Sequence, residues 1–285
     1  MWSFGVFLVD DVLAFDTRVG EPVALFDSRR IKIGGVHPRD QADPFLIEHN
    51  GSLFVFYEEL LPGGVGTIAC ARTDDLKSFE RLGVMLAEPH HLSYPFVFRD
   101  GEEILLLPEA KQSGEVSLYA FDRFPFEPRK LRALVSGGYV DCFLLNTDGL
   151  WYLFGTSAAG LEIFVSDDLR GGSFEPHPMN PVVTDPRFSR NGGGPLTIAG
   201  STVRVAQDCS QSYGDNVSLI RIDELSPATY RETVVRTRFF EKDKRWNRLG
   251  AHHISVASFL GRTVLAADGE SRDYVVNKLL SRLPR

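Results

Sequence analysis

Asp43-Pro44-Phe45-Leu46-Ile47-Glu48-His49-Asn50-Gly51, followed at once by Ser52-Leu53-Phe54-Val55-Phe56-Tyr57-Glu58-Glu59, reads as a strand, a tight turn and a second strand. Asn-Gly supplies the positive φ angles that a two-residue hairpin turn requires, and the flanking Val, Ile, Leu and Phe suit strands packed between sheets. The pattern returns along the chain. Tyr94 to Asp100-Gly101 precedes Glu102 to Glu109, and Asp141 to Asp148-Gly149 precedes Leu150 to Ser157. Gly194 to Gly200 precedes Ser201 to Asp208, and a weaker copy runs from His253 to Gly261 and on to Asp268.

After each of the first four hairpins comes an alternating strand closed by an acidic turn: Thr73-Asp74-Asp75-Leu76, Phe121-Asp122-Arg123-Phe124, Ser166-Asp167-Asp168-Leu169 and Ile222-Asp223-Glu224-Leu225. The Asp in the second place is expected to cap the turn, and the closing Leu or Phe to re-enter the core. A short fourth strand is expected next, for example over 82–86 and 233–236. Four strands per unit, at a spacing of roughly fifty residues, define an all-β fold, a five-bladed β-propeller with four-stranded antiparallel blades. A β-sandwich also uses many short strands but does not call for a repeated acidic turn. The reading is one domain over 1–285, with blades at about 40–88, 89–136, 137–184, 185–238 and 239–285. The fifth blade looks incomplete at Asp273-Tyr274-Val275-Val276-Asn277. A strand from within 1–39, at 6–12 or 23–26, is expected to close the ring.

Composition narrows the function classes. The 285 residues are 43% hydrophobic and 24% charged, as expected of a chain with a full core. A net charge of -7 argues against nucleic acid or an anionic membrane as partner. Cys70, Cys142 and Cys209 form no CxxC pair and no complete disulfide set, which fits a reducing compartment. No secretory leader and no bilayer-spanning run is evident, so the expectation is a cytoplasmic protein without membrane insertion.

In a propeller the innermost strands line a channel, and antiparallel pairing sets the end of each second strand beside the start of the first. The starts carry Asp43, Tyr94, Asp141, Gly194 and His253, with His252 just before the last. The ends carry Glu59 (with Glu58), Glu109, Ser157, Asp208 and Asp268. Both sets converge on one mouth, together with Arg190 and Asn191. Asp141 lies between Val140 and Cys142 in an apolar strand, where a charge needs a partner or a role. Adjacent strand residues face opposite ways, so one of His252 and His253 at most should face the channel. Arg190, in Arg-Asn-Gly-Gly-Gly, is suited to clamp an anionic group. Asp208 can serve the site or cap its own loop. Trp246, in a polar loop, is the candidate rim platform for stacking a sugar, with Tyr94 a second; Trp151 reads as core. No metal and no cofactor is expected.

Glycoside hydrolysis needs two carboxyl groups about a scissile bond, one ionised and one protonated, and this mouth holds the groups for it. Ala42-Asp43-Pro44-Phe45 with its hairpin, and the Thr73 and Ser166 acidic turns, resemble the five-bladed propellers of glycoside hydrolase families 43 and 32. A narrower resemblance is to the propeller at the N-terminus of glucosamine inositolphosphorylceramide transferases and to its stand-alone bacterial relatives. It is carried by Tyr94-Pro95-Phe96 with Pro108-Glu109-Ala110, by Arg190 to Pro195, by Ala206 to Ser210 with Tyr213-Gly214, and by Gly250 to His253. The hydrolase resemblance implies Asp43 as general base or nucleophile. The second-blade Asp of those enzymes is replaced by Tyr94, and Asp141 stands in the third-blade position. Glu109 is then the expected proton donor and Asp141 the modulating carboxylate, with Glu59, Tyr94, Arg190, Asn191, Asp208, Trp246, His252 and His253 as substrate contacts. The expected function is a glycosidase-like hydrolase acting on a small glycoside or glycoconjugate. The alternative is a non-catalytic sugar- or nucleotide-sugar-binding propeller working beside a glycosyltransferase.

Overall fold

A computed structural model describes residues 1–15, 20–242 and 246–271, and within them the chain forms five antiparallel sheets. Asp273 to Asn277 lie outside the described residues. Blade one runs from Asp40–His49 through Ser52–Leu60 and Gly66–Thr73 to Glu80–Leu86. Blade two is Ser93–Asp100, Glu103–Glu109, Glu115–Arg123 and Phe126–Ser136; blade three is Val140–Thr147, Leu150–Ser157, Gly160–Ser166 and Glu175–Pro176. In blade four, Arg190–Asn191 and Leu196–Ile198 share the inner position beside Ser201–Asp208, followed by Asn216–Leu225 and Tyr230–Arg236. The inner strand is broken there by Gly192 to Pro195. Blades one to four are meanders, and with the fifth sheet the fold is a five-bladed propeller.

Both candidate closing segments are used. Trp2–Val9 pairs with Arg262–Glu270 from Trp2↔Glu270 to Val9↔Thr263, and Ala24–Phe26 pairs with Trp2–Val9. Blade five therefore takes its two inner strands, Ile254–Phe259 and Arg262–Glu270, from one end of the sequence and its two outer strands from the other. The core lies between blades. Phe56, Leu105 and Phe143 fill the layer from blade one to blade three, Val205 and Ile254 the junction of four and five, and Phe4 and Val55 that of five and one. No helix among the described residues is long and apolar enough to cross a membrane.

The turns obey their backbone chemistry. Asn50-Gly51 and Asp148-Gly149 both take paired positive φ angles, and so do Ala199-Gly200 and Leu260-Gly261, where strand pairing imposes the turn on less suited residues. The Thr73 and Ser166 acidic turns are capped from a different place than expected. Asp75 Oδ1 accepts the Lys77 and Ser78 amides, at 2.9 and 3.0 Å, and Asp168 Oδ1 accepts the Arg170 amide at 2.8 Å. The cap is thus the third residue, because the first residue's hydroxyl already serves the turn: buried Thr73 Oγ1 accepts the Leu76 amide at 2.9 Å. Thr73→Val should cost about 1 kcal/mol by leaving that amide unpaired. An unchanged urea midpoint would speak against this.

Candidate functional site

Three inner strands begin with the same irregularity. Register shifts fall between Ala42 and Phe45, Ser93 and Phe96, and Val140 and Phe143. Inside them Asp43, Tyr94 and Asp141 hold φ angles of 51°, 44° and 50°. A bulge re-aims its residue out of the pleat, and positive φ in non-glycine residues persists only where surrounding contacts impose it. Here carboxylates of neighbouring strands hold the freed amides. Asp43 N–H donates to Asp268 Oδ2 (3.2 Å), Tyr94 N–H to Asp43 Oδ2 (3.1 Å) and Asp141 N–H to Glu109 Oε2 (3.1 Å).

The side chains gather in two groups. In the first, His252 Nδ1 lies 2.6 Å from Asp268 Oδ2, while His252 Nε2 and His253 Nδ1 lie 3.9 and 3.8 Å from Asp43 Oδ1. Both imidazoles therefore face Asp43, against the expectation of one at most. They precede the strand Ile254–Phe259, so strand alternation does not govern them. Asp268 Oδ1 also accepts both histidine amides, at 2.9 and 3.0 Å. Asp43, His252 and Asp268 bring donor atoms within 4.8 Å of one another, but the tightest contact among them is the His252–Asp268 ion pair, not an open set of ligands.

In the second group Arg190 Nε donates to Asp141 Oδ2 (2.5 Å), and Gln207 Nε2 donates to the same oxygen (3.1 Å). Asn191 Nδ2 donates to the Asp141 carbonyl (2.9 Å) and is itself contacted by Arg204 Nη1. Arg190 also lies 4.9 Å from the centre of the Tyr213 ring. Tyr94 connects the two groups, since its hydroxyl meets both polar groups of Gly193, two residues beyond Asn191.

Burial sets the electrostatics. Asp43, Asp141 and Asp268 are 5%, 3% and 0% exposed. Burial, reinforced by the carboxylates of Asp268, Glu58 and Asp141, pushes Asp43 up to about 8 against the pull of His252. Burial and Asp141 hold Glu109 well above the ordinary carboxyl range. Burial disfavours a charged His252, yet Asp268, with Asp43 and Asp141 behind it, raises it to about 9. Burial lowers His253 to about 3, so that ring is neutral.

Some expected contacts lie elsewhere. Glu59 faces away from the mouth and pairs with Arg81 (2.5 Å), while its neighbour Glu58 reaches His91 Nε2 at 3.2 Å and adds to the field on Asp43. Strand alternation separates the two, and Glu58 is the mouth residue. Trp246 is buried against Phe7 and no rim platform. Tyr94 is buried too, its ring packed on Phe45 and His253. Asp208 caps its loop, accepting the Ser210 amide (2.9 Å) and hydroxyl (2.6 Å). The aromatic cover comes instead from Trp2 and Tyr213. Trp2 stacks on His252 (3.9 Å, 10° between planes), and Tyr213, 51% exposed, meets both rings edge-on. Trp2 carries no local signal, since its place depends on pairing with the far end of the chain.

Five four-stranded blades around a mouth of buried carboxyls define a five-bladed propeller, a fold shared with solved glycoside hydrolases. A family 117 glycoside hydrolase from Zobellia galactanivorans matches with a TM-score of 0.57 at 13% identity, over 86% of this chain and 92% of that one. An α-L-arabinofuranosidase from Clostridium thermocellum matches with a TM-score of 0.58 at 17% identity, over 83% of this chain and 84% of that one. At these identities the likeness is one of fold. Residues 19–270 match the family described as glucosamine inositolphosphorylceramide transferase 1, N-terminal, and the chain belongs to that family. It is similar to glucosamine inositolphosphorylceramide transferase 1 of Oryza sativa subsp. japonica, 35% identical over 253 residues, and to that of Arabidopsis thaliana, 31% identical over 299. Those matches cover 83% and 94% of this chain but only 34% and 39% of the relatives.

Proposed function

We propose that the carboxyl-lined mouth binds an amino sugar, free or on a glycoconjugate, and holds it without cleaving it. The observation that carries this reading is the charge census. Among the described residues, Asp43, Glu58, Glu109, Asp141 and Asp268 face one permanent cation, Arg190, already committed to Asp141, and one titratable cation, His252, already committed to Asp268. Burial, reinforced by the neighbouring carboxylates, pushes Asp43 up to about 8 and Glu109 well above the ordinary carboxyl range, and a ligand ammonium group would supply a further cation. Tyr213 offers an exposed ring for the apolar face of a sugar. The name of the plant relatives, glucosamine inositolphosphorylceramide transferase, agrees with an amino sugar. On this reading the domain works beside a glycosyltransferase.

Cleavage is the second reading, and Glu109 favours it, since a carboxyl held protonated is what a general acid requires. Against it stands Asp43, which would have to be ionised as base or nucleophile yet is held protonated and bonded to the Tyr94 amide.

Calorimetric titration with glucosamine, N-acetylglucosamine and glucose decides. Glucosamine should bind with proton release, and the two neutral sugars at least about tenfold more weakly. Carboxyls with raised pKa gain charge as pH rises, so glucosamine affinity should climb about tenfold between pH 6 and 8. Equal affinity for all three sugars would overturn the reading. So would turnover of aryl glycosides that disappears in Asp43→Asn.

A further inference from the structure

Tyr94 occupies the second-blade place where the resembled hydrolases carry a carboxylate, and it touches both halves of the mouth. A bulky side chain at φ 44° is an outlier held in place by its surroundings. Its ring packs edge-on to Phe45 and His253, with centroids 4.9 and 5.3 Å away. Its amide donates to Asp43 Oδ2 at 3.1 Å. At the other end its hydroxyl donates to the Gly193 carbonyl at 2.8 Å and accepts the Gly193 amide at 2.9 Å. Gly193 cannot return the favour with a side chain of its own, because a Cβ there would lie 2.1 Å from the Ile254 carbonyl oxygen. The brace is built from the blade-two side. Gly193 continues directly from Arg190 and Asn191, which hold Asp141.

We infer that Tyr94 is a positioning residue, whose amide and hydroxyl set the Asp43 half of the mouth in register with the Arg190–Asn191 half. This rests on the reading of the mouth as a binding site. It accounts for a tyrosine here: the hydroxyl pairs both polar groups of one buried peptide, which phenylalanine cannot do.

Tyr94→Phe keeps the ring and removes the brace, and Leu105→Ala, a blade-two core truncation, serves as the stability control. In Tyr94→Phe the Gly193 amide should exchange with solvent at least about tenfold faster, and glucosamine affinity should fall about tenfold. Leu105→Ala should lower the melting temperature as far or further while holding affinity within about twofold. Unchanged Gly193 exchange overturns the brace. Equal loss of affinity in Leu105→Ala at matched stability overturns the positioning role. Should the wild-type protein bind no glucosamine, the binding reading fails by itself, and the exchange measurement alone decides whether Tyr94 holds the Arg190–Gly193 segment.

Discussion

Arg204→Met is expected to destabilise the protein by about 3–5 kcal/mol, because it leaves the largely buried Glu232 carboxylate without its counter-charge. Arg204 is 0% exposed, in an otherwise apolar stretch of strand, and its guanidinium grips Glu232 through Nε (3.0 Å) and Nη2 (2.7 Å). The Tyr230 hydroxyl bonds the same carboxylate, and Tyr230 packs edge-on to Phe154 of blade three. A buried ion pair gains little over apolar residues of equal volume, but removing one partner exposes the full desolvation cost of the other. The double variant Arg204→Met/Glu232→Leu should therefore recover most of the loss. Urea unfolding of both variants tests this, and a single-variant loss under about 1 kcal/mol would show that Glu232 finds solvent instead.

The second large effect centres on Asp268. Its oxygens accept the amides of Asp43, His252 and His253 and contact His252 Nδ1, and Asp268 itself is 0% exposed. Asp268→Ala leaves those groups unpaired and His252 without its counter-charge, a loss of about 3–5 kcal/mol near neutral pH, and glucosamine binding should vanish with it. The pH profile carries a further signature. His252 is raised from 6.5 to about 9, so its contribution is complete below pH 6.5 and is lost as pH rises toward 9. Asp43 is raised from 3.8 to about 8, so the folded state holds a proton that the unfolded chain has released, and folding is opposed increasingly over that range. Asp268 is lowered, chiefly by His252 acting against burial, and its contribution fades only as pH falls below the ordinary carboxyl range. Wild-type stability should thus decline between pH 6.5 and 9. In Asp268→Ala the His252 part of that decline should disappear. Parallel melting curves for the two proteins across this interval would refute the assignment.

The propeller could be read from the sequence because its determinants are local: Asn50-Gly51, Asp148-Gly149 and the acidic turns each specify their own backbone. Asp43, Glu109 and Asp141 were legible for the same reason, as they sit at fixed places in the repeat. The errors began where a simple period ceased to apply. Glu58 and Glu59 are told apart only by the face of the strand, and His252 and His253 lie outside any strand. Trp246 sits among polar neighbours in sequence but beneath Gly269 in space. Arg204 looks like a solvent-facing residue in Val203-Arg204-Val205, and only its pairing with Glu232, two strands away in the same blade, reveals its place.

Trp2–Val9 is both the strand that completes blade five and the source of the indole that covers His252. Its partners at Thr263 to Glu270 emerge from the ribosome after blades one to four, so the strand waits for them. A mouth assembled this way does not exist in any partly synthesised or partly unravelled molecule. Blades one to four can be in place while the Asp268–His252 half of the site is still absent, which confines capture by the complete mouth to finished rings and makes its occupancy a record that Trp2–Val9 has met its partner strand.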